Sequence, residues 1–350
     1  MSFNYIGSKK SLVSWIETSL NKYLKKFELE IEDGVMGDLF AGTGVIGRYF
    51  SKDYKIISND MMYYSFVINS FYLMKLSEKE CKIYNKEIKK HINILNELID
   101  NINEDDIKED NDKYFIYKNY TIDRKYFSPK NGLRIDMVRQ YIEDKFEKDK
   151  ILKVTYYGLI VSLLLGISKV ANTCSVYGAY LKKLKKSAKK KLILEIPQRG
   201  DIQFNNIILN DKVENIQNYK YDVVYIDPPY NGRQYVSNYH ILETIAKYDY
   251  PTIHGKTGLR DGSNQQSAFC SSRLVYEAFE NLINKLDTSI IMISYNSDGL
   301  MSKKDIKEIL KTKFNNIKIY KKEYKKFKSG KKIKKSKVIE YLFIGSNVQN

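Results

Sequence analysis

The feature that most restricts what this chain can fold into is a short strand that runs directly into paired glycines. Val35 to Phe40 reads as that strand, opening into Ala41-Gly42-Thr43-Gly44, and Gly42 to Gly47 satisfies a G-x-G-x-x-G pattern. Tyr54 to Ser58 reads as the next strand and ends at Asn59-Asp60. Together they form a strand, loop, helix and strand, the opening of an open α/β sheet, in which ligands bind beyond the carboxyl ends of the strands. A carboxylate at Asp60 can accept both hydroxyls of a ribose. Taken alone, the pattern fits a nucleoside-cofactor loop, a nicotinamide dehydrogenase, or a tight turn whose small residues serve packing.

Two acids separate these readings. Asp38 stands just before the glycines of Asp38-Leu39-Phe40-Ala41-Gly42-Thr43-Gly44, suited to the amino group of a methionine-type cofactor and of no use to a pyrophosphate. Asp222 to Ile226 reads as a further strand, and Asp227-Pro228-Pro229-Tyr230 follows at its carboxyl end, where dehydrogenase chemistry has no role for it. The exocyclic amine of adenine is a poor nucleophile because its lone pair is delocalised into the ring. A carboxylate on Asp227 and the carbonyl of Pro228 can accept its two hydrogens and draw the nitrogen toward tetrahedral geometry. The prolines fix φ and so hold that carbonyl in place. Tyr230 can then stack on a base flipped from the duplex.

Around these motifs the chain changes character. Leu12 to Phe27 spaces its apolar residues as an amphipathic helix. From about Ser77 to Lys191 long helical stretches are broken by the acidic run Asn101 to Lys113 and the turn Ser128 to Gly132, which reads as an inserted second domain. Strand character returns at Ile207 to Leu209, Asp222 to Ile226 and Ile290 to Ser294, all expected to be buried in the sheet. Ile317 to Phe327 and Lys337 to Ile344 read as a hairpin across the basic turn Lys328 to Lys337. The division expected is therefore 1–76 and 192–350 for a catalytic domain, with 77–191 inserted.

Composition supports this without deciding it. Fifty-nine Lys and Arg against 42 Asp and Glu leave a net charge of +17, which favours a polyanion, although a Lys-rich composition also follows from an AT-rich genome. Cys81, Cys174 and Cys270 have no paired spacing and the histidines form no cluster with them, so neither disulfides nor a metal site is expected. None of the three cysteines follows a proline, against the thiolate chemistry of cytosine C5 methylation. The longest apolar stretch, Tyr156 to Ile167, is too short to cross a bilayer and reads as a buried helix, and the first residues lack the pattern of a signal peptide. A cytoplasmic protein, bacterial or phage-encoded, with no membrane partner is expected.

In this order and spacing, the motifs resemble the D12 class of adenine-specific DNA methyltransferases, the Dam-like α group, across nearly the whole chain. The resemblance implies a Rossmann-like α/β fold binding S-adenosylmethionine, with an inserted, mostly helical target-recognition domain. Tyr5-Ile6-Gly7-Ser8-Lys9 is similar to the family's amino-terminal cofactor motif, which implies cofactor contacts for Tyr5, Gly7 and Lys9. The glycine motif implies the same for Asp38, Phe40, Gly42 and Gly44, and Asp60 corresponds to the ribose-binding acid. Asp211 resembles the acid near the cofactor adenine, a position an ordinary loop carboxylate also fits. Asp227 to Tyr230 corresponds to the catalytic motif, with Asp227 implied in cofactor binding as well.

Within the insert, Tyr177-Gly178-Ala179-Tyr180 is similar to the family's segment that approaches DNA. Tyr177, Tyr180, Lys182, Lys183, Lys185 and Lys186 become candidates for stacking and phosphate contact, though Leu181 to Lys191 also reads as a solvated helix face. Asn231-Gly232-Arg233-Gln234-Tyr235 departs from the Dam-type continuation and points to another branch. The implied partners are double-stranded DNA and a cognate restriction endonuclease. Rival readings are an RNA or protein-glutamine methyltransferase of the same fold, for which Asn-Pro-Pro-Tyr is the usual tetrapeptide, and a non-catalytic DNA-binding module.

Overall fold

The computed structural model describes residues 9–102, 113–174, 176–217, 219–325 and 337–347. The chain separates into two compact units, each threaded by more than one stretch of sequence. The sheet unit comprises the described residues of Gly7–Asn69, Ile202–Tyr235 and Asn264–Asn350. Its strands are β1 (Val35–Asp38), β2 (Lys55–Asn59), β3 (Ile207–Leu209), β4 (Lys220–Ile226), β5 (Asp287–Asn296), β6 (Asn316–Lys325) and β7 (Lys337–Ser346). They form one sheet in the order β3-β2-β1-β4-β5-β7-β6. The first five run parallel, and β7 lies antiparallel between β5 and β6. This is the mostly parallel α/β sheet expected from the sequence.

Val223 to Ile226 and Ile290 to Ile293 are all buried, the continuous apolar reading of strands covered on both faces. On one face, Val224, Ile226, Ile291 and Ile293 share a core with Phe279, Leu282 and Ile283 of helix Val275–Lys285 and with Ile306, Ile309 and Leu310 of helix Lys303–Lys311. Helix Val13–Lys26 buries Ile16, Leu20 and Tyr23. The Tyr23 hydroxyl donates to the Asn316 carbonyl at 2.8 Å and lies 2.7 Å from Ser346 Oγ, which ties the helix to the terminal hairpin.

One strand differs from expectation. Ile207–Leu209 is half-buried rather than buried, because it is the edge of the sheet and, among the described residues, pairs only with β2; a three-residue edge offers little for another strand to join. The hairpin runs in register from Asn316 opposite Ser346 to Lys325 opposite Lys337. The basic turn expected over Lys328 to Lys337 falls outside the described residues, except for the backbone of Lys337.

The helical unit comprises the described residues of Ser70–Asp201 and Val236–Ser263. Helix Glu78–Asp100 starts at a reciprocal cap in which Ser77 accepts from the Glu80 N–H and Glu80 accepts from the Ser77 N–H. Helix Pro129–Lys148 starts at Pro129, where the missing N–H costs nothing. Helix Lys153–Val170 is long and apolar enough to cross a membrane, yet 78% of it is buried in the protein, as a core helix. Asp136, fully buried, accepts from the Ile116 and Tyr117 N–H groups and from the Tyr248 hydroxyl.

The segment 236–263, read from the sequence with the catalytic part, groups with the helices instead. It carries most of helix Tyr235–Lys247 and a ribbon of Ile253–His254 against Leu259–Arg260. Its carbonyls are held from the helical side: Tyr120 donates to Gly258, Tyr126 to Thr257 and Arg124 to Gly255, at 2.9–3.1 Å.

Candidate active site

The site is built at the carboxyl ends of the parallel strands, because β1 and β4 are neighbours with Asp38 opposite Tyr225. Two turns therefore leave the sheet side by side, the glycine loop after β1 and the double-proline turn after β4. The glycine loop is a tight structure. Gly42 and Gly44 take positive φ of 51° and 70°, and the Gly44 N–H bonds the Ala41 carbonyl at 2.8 Å. A side chain at Gly44 is doubly disfavoured, since a β-carbon there would lie 2.2 Å from Asn69 Oδ1. Asn69 also donates to the Gly42 carbonyl and fixes the loop from helix Tyr63–Leu73, which follows β2.

Two acids frame this loop. Asp60, one residue beyond β2, accepts the Gly42 N–H on one oxygen and the Met62 N–H on the other, each at 2.8 Å. Those bonds orient its carboxylate beside the glycine loop. Asp38 is 1% exposed and accepts the Gly47 N–H at 3.0 Å. Burial raises its pKa to about 7, with further contributions from the charges of Asp227 and Asp60. A cation set against this buried carboxylate would hold it ionised, and an amino group such as that of a methionine-type cofactor could take that place. Phe40 is half-buried, edge-on to Phe269.

Asp211 follows β3 and is exposed, with one oxygen taken by the Lys212 N–H and the Asn215 amide. Asn59 connects these turns: its amide donates to the Leu39 and Asp211 carbonyls, and its oxygen accepts the Asp211 N–H. Tyr5 and Gly7 lie outside the described residues.

Asp227 belongs to a buried charge cluster. Lys9 Nζ is 2.7 Å from Asp227 Oδ1 and 3.3 Å from Glu340 Oε1, with Lys9 6%, Asp227 14% and Glu340 1% exposed. Glu340 lies on β7 and is held by Ser294 of β5 at 2.5 Å. One ammonium between two carboxylates cannot fully offset both. Burial raises Asp227 to about 6, Lys9 opposing and Glu340 adding to the rise. Lys9 itself is raised well above the ordinary lysine range, the Asp227 and Glu340 charges outweighing its burial.

Pro228 and Pro229 are buried and Tyr230 is half-buried, its ring edge-on to Tyr295 at 6.4 Å and its carbonyl accepting the Leu300 N–H. The chain beyond is pinned by a reciprocal pair of bonds between Gln234 and Ser267. Cys270 is buried, which lifts its thiol to about 11 and away from nucleophilic use. Among the described residues no group of three or more His, Cys, Asp or Glu is placed to hold a metal ion.

Sequence reasoning missed Glu340, Asn59 and Asn69. Glu340 alone carried a signal, as the one carboxylate in the otherwise apolar and aromatic Val338 to Ile344.

The residues expected at DNA lie in the helical unit. Tyr177 is buried, its N–H on the Asn238 carbonyl and its own carbonyl 2.9 Å from His240 Nε2. Tyr180 is half-buried, edge-on to Tyr126. Leu181 to Lys191 is not the helix considered from the sequence; it is irregular, with a single 3-10 turn at Lys186–Lys189. Asn172 organises it, bonding the Leu181 carbonyl and the Lys185 N–H. Lys182, Lys183 and Lys186 are exposed, whereas Lys185 turns its ammonium to the Thr173 carbonyl at 2.6 Å.

The family profile of the D12 class N6 adenine-specific DNA methyltransferases matches residues 5–309. The chain is 41% identical to the type II methyltransferase M.NlaIII of Neisseria lactamica, over 97% of this chain and 98% of that protein. It is 36% identical to the type II methyltransferase M.FokI of Planomicrobium okeanokoites, over 97% of this chain and 52% of that one. With the type II methyltransferase M.CviAII of Paramecium bursaria Chlorella virus 1 it shares 31% identity over 97% of each chain.

Proposed function

Because the chain belongs to the D12 class of N6 adenine-specific DNA methyltransferases, we propose that Asp227-Pro228-Pro229-Tyr230 performs its methyl transfer and that Asp38, Gly42, Gly44 and Asp60 hold S-adenosylmethionine. The chain is a site-specific DNA methyltransferase that modifies adenine, as type II modification enzymes do. The observation that carries the site assignment is the adjacency of β1 and β4, which brings the buried Asp38 and the Asp227 turn together at the carboxyl end of the parallel strands.

S-adenosylmethionine, when bound, supplies an electrophilic methyl group on a sulfonium. Asp38 receives its ammonium, and Asp60 its ribose hydroxyls. At the other turn, Asp227 accepts one N6–H of a flipped adenine and the Pro228 carbonyl the second, so the nitrogen lone pair is directed along the line of displacement. As the N–C bond forms and the S–C bond breaks, the nitrogen gains positive charge, which the Asp227 carboxylate stabilises. The proton then leaves the nitrogen through Asp227 or water. Tyr230 covers the base. No covalent intermediate with the protein is needed.

The helical unit carries target recognition in this reading, with Lys182, Lys183 and Lys186 on phosphates and Tyr180 nearby. The enzyme then acts in the cytoplasm, and a cognate restriction endonuclease shares its recognition sequence. Incorporation of labelled methyl groups into duplex DNA tests the assignment. Asp227→Ala is expected to lower turnover by about 100-fold or more, while calorimetric affinity for S-adenosylmethionine stays within a few-fold. Near-normal turnover would show that Asp227 is not the acceptor.

A further inference from the structure

We propose that Glu340 is a positioning residue for methyl transfer: it holds the Lys9 ammonium on one oxygen of Asp227 and leaves the other oxygen to the adenine amine. The inference rests on the assignment of Asp227 as the acceptor. Lys9 meets Asp227 through Oδ1 alone, at 2.7 Å, and meets Glu340 at 3.3 Å. Glu340 is anchored independently of the site. It sits opposite Asn296 in the β5–β7 ladder, and Ser294 binds the same carboxylate oxygen. A carboxylate at 1% exposure is costly, and this one is retained against the buried lysine of the site rather than in a surface ion pair.

The consequence is a division of labour. With Glu340 present, the ammonium is shared and cannot close over both oxygens of Asp227. Without the Glu340 charge, Lys9 is free to pair fully with Asp227 and compete with the N6 hydrogens for it. Asp227 then becomes a weaker acceptor. Ionisable groups around Asp227 and Lys9 are Glu340, Tyr225, Tyr230 and Asp38. Both tyrosines are raised by burial and stay neutral in the range where Asp227 titrates.

The test is the pH dependence of kcat in the full-length enzyme at saturating S-adenosylmethionine, whose ammonium keeps Asp38 ionised. Glu340→Gln, which keeps the shape and a partner for Ser294, is expected to lower kcat about tenfold and to leave KM for DNA within twofold. It is also expected to move the acidic limb of the profile to lower pH, because a charge that disfavours ionised Asp227 has gone. Ser294→Ala removes the other anchor of Glu340 but keeps the charge, so its limb is expected to stay where the wild type has it. An unmoved limb in Glu340→Gln overturns the proposal even if kcat falls, since a merely structural role lowers rate without moving a titration.

Should Glu340→Gln fail to fold, Glu340→Asp carries the test. It draws the charge back from Lys9, and again an unmoved limb overturns the role. Asp227→Ala, which leaves no acceptor, separates the two readings. Near-normal turnover in that variant removes the acceptor assignment and this proposal together, whereas a dead Asp227→Ala beside an unmoved Glu340→Gln limb removes only the role of Glu340.

Discussion

Tyr230 packs edge-on against Tyr295, so its ring is fixed in direction before any base arrives. Stacking of a base on an aromatic is worth about 1–3 kcal/mol by alanine substitution. Tyr230→Ala is therefore expected to lower both the rate and the 2-aminopurine fluorescence gain that reports a flipped base, while Tyr230→Phe and Tyr230→Trp keep most of both. If Tyr230→Phe is as damaging as Tyr230→Ala, the hydroxyl and not the ring face is at work. In the helical unit, Asp136 is raised by burial to about 7, although three hydrogen bonds oppose the shift. An acid whose folded pKa lies above its unfolded value of about 3.9 stabilises the fold fully below that value, and loses this contribution as pH rises toward 7. Wild type is expected to lose melting temperature between pH 5 and 8 more steeply than Asp136→Asn, which has nothing to ionise there. Equal slopes in differential scanning calorimetry would mean that Asp136 is ionised without cost.

At the scale of elements, the glycine loop is the piece whose geometry is most demanding. Gly44→Ala asks for a positive φ and for space that Asn69 occupies, so it is expected to weaken S-adenosylmethionine binding at least tenfold in titration calorimetry. Unchanged affinity would mean that the loop bends without cost. The sequence displayed this loop, and the central strands and long helices, because apolar runs and glycines are local signals. Val35–Asp38 and Lys220–Ile226 lie within two residues or so of where the apolar pattern placed them. Three things were not local. Ile207–Leu209 looks buried by composition but is an edge, which depends on what lies beyond β2. The two-residue strands of the ribbon have no period to detect, and their place is set by donors from Tyr120, Arg124 and Tyr126, more than 100 residues earlier. Glu340 was hidden in the same way, since only the fold brings β7 to Lys9.

For the molecule as a whole, the +17 charge becomes informative only when individual lysines are placed. Replacing Lys182, Lys183 and Lys186 by alanine is expected to reduce the slope of log binding constant against log salt by roughly 0.9 for each phosphate no longer neutralised. The methylated sequence should not change. Lys185→Ala should act differently, loosening the segment that its ammonium ties to Thr173 and lowering specificity or stability more than the salt slope. A slope that stays the same in the triple variant would assign the run to solvent. The passage of the chain in and out of each unit also governs how the protein is made. Met36 of β1 pairs with Val223 of β4, 187 residues further along the chain. At synthesis rates of about 5–20 residues per second, the β1–β2 pair waits on the order of 10 to 40 seconds for its central neighbour to emerge. During that interval Met36 and Ile57 have no completed core to enter, and one flank of β1 offers unpaired backbone to any passing strand. The nascent chain thus carries an exposed strand flank through that interval, and closing it requires a long-range pairing of the kind that forms slowly.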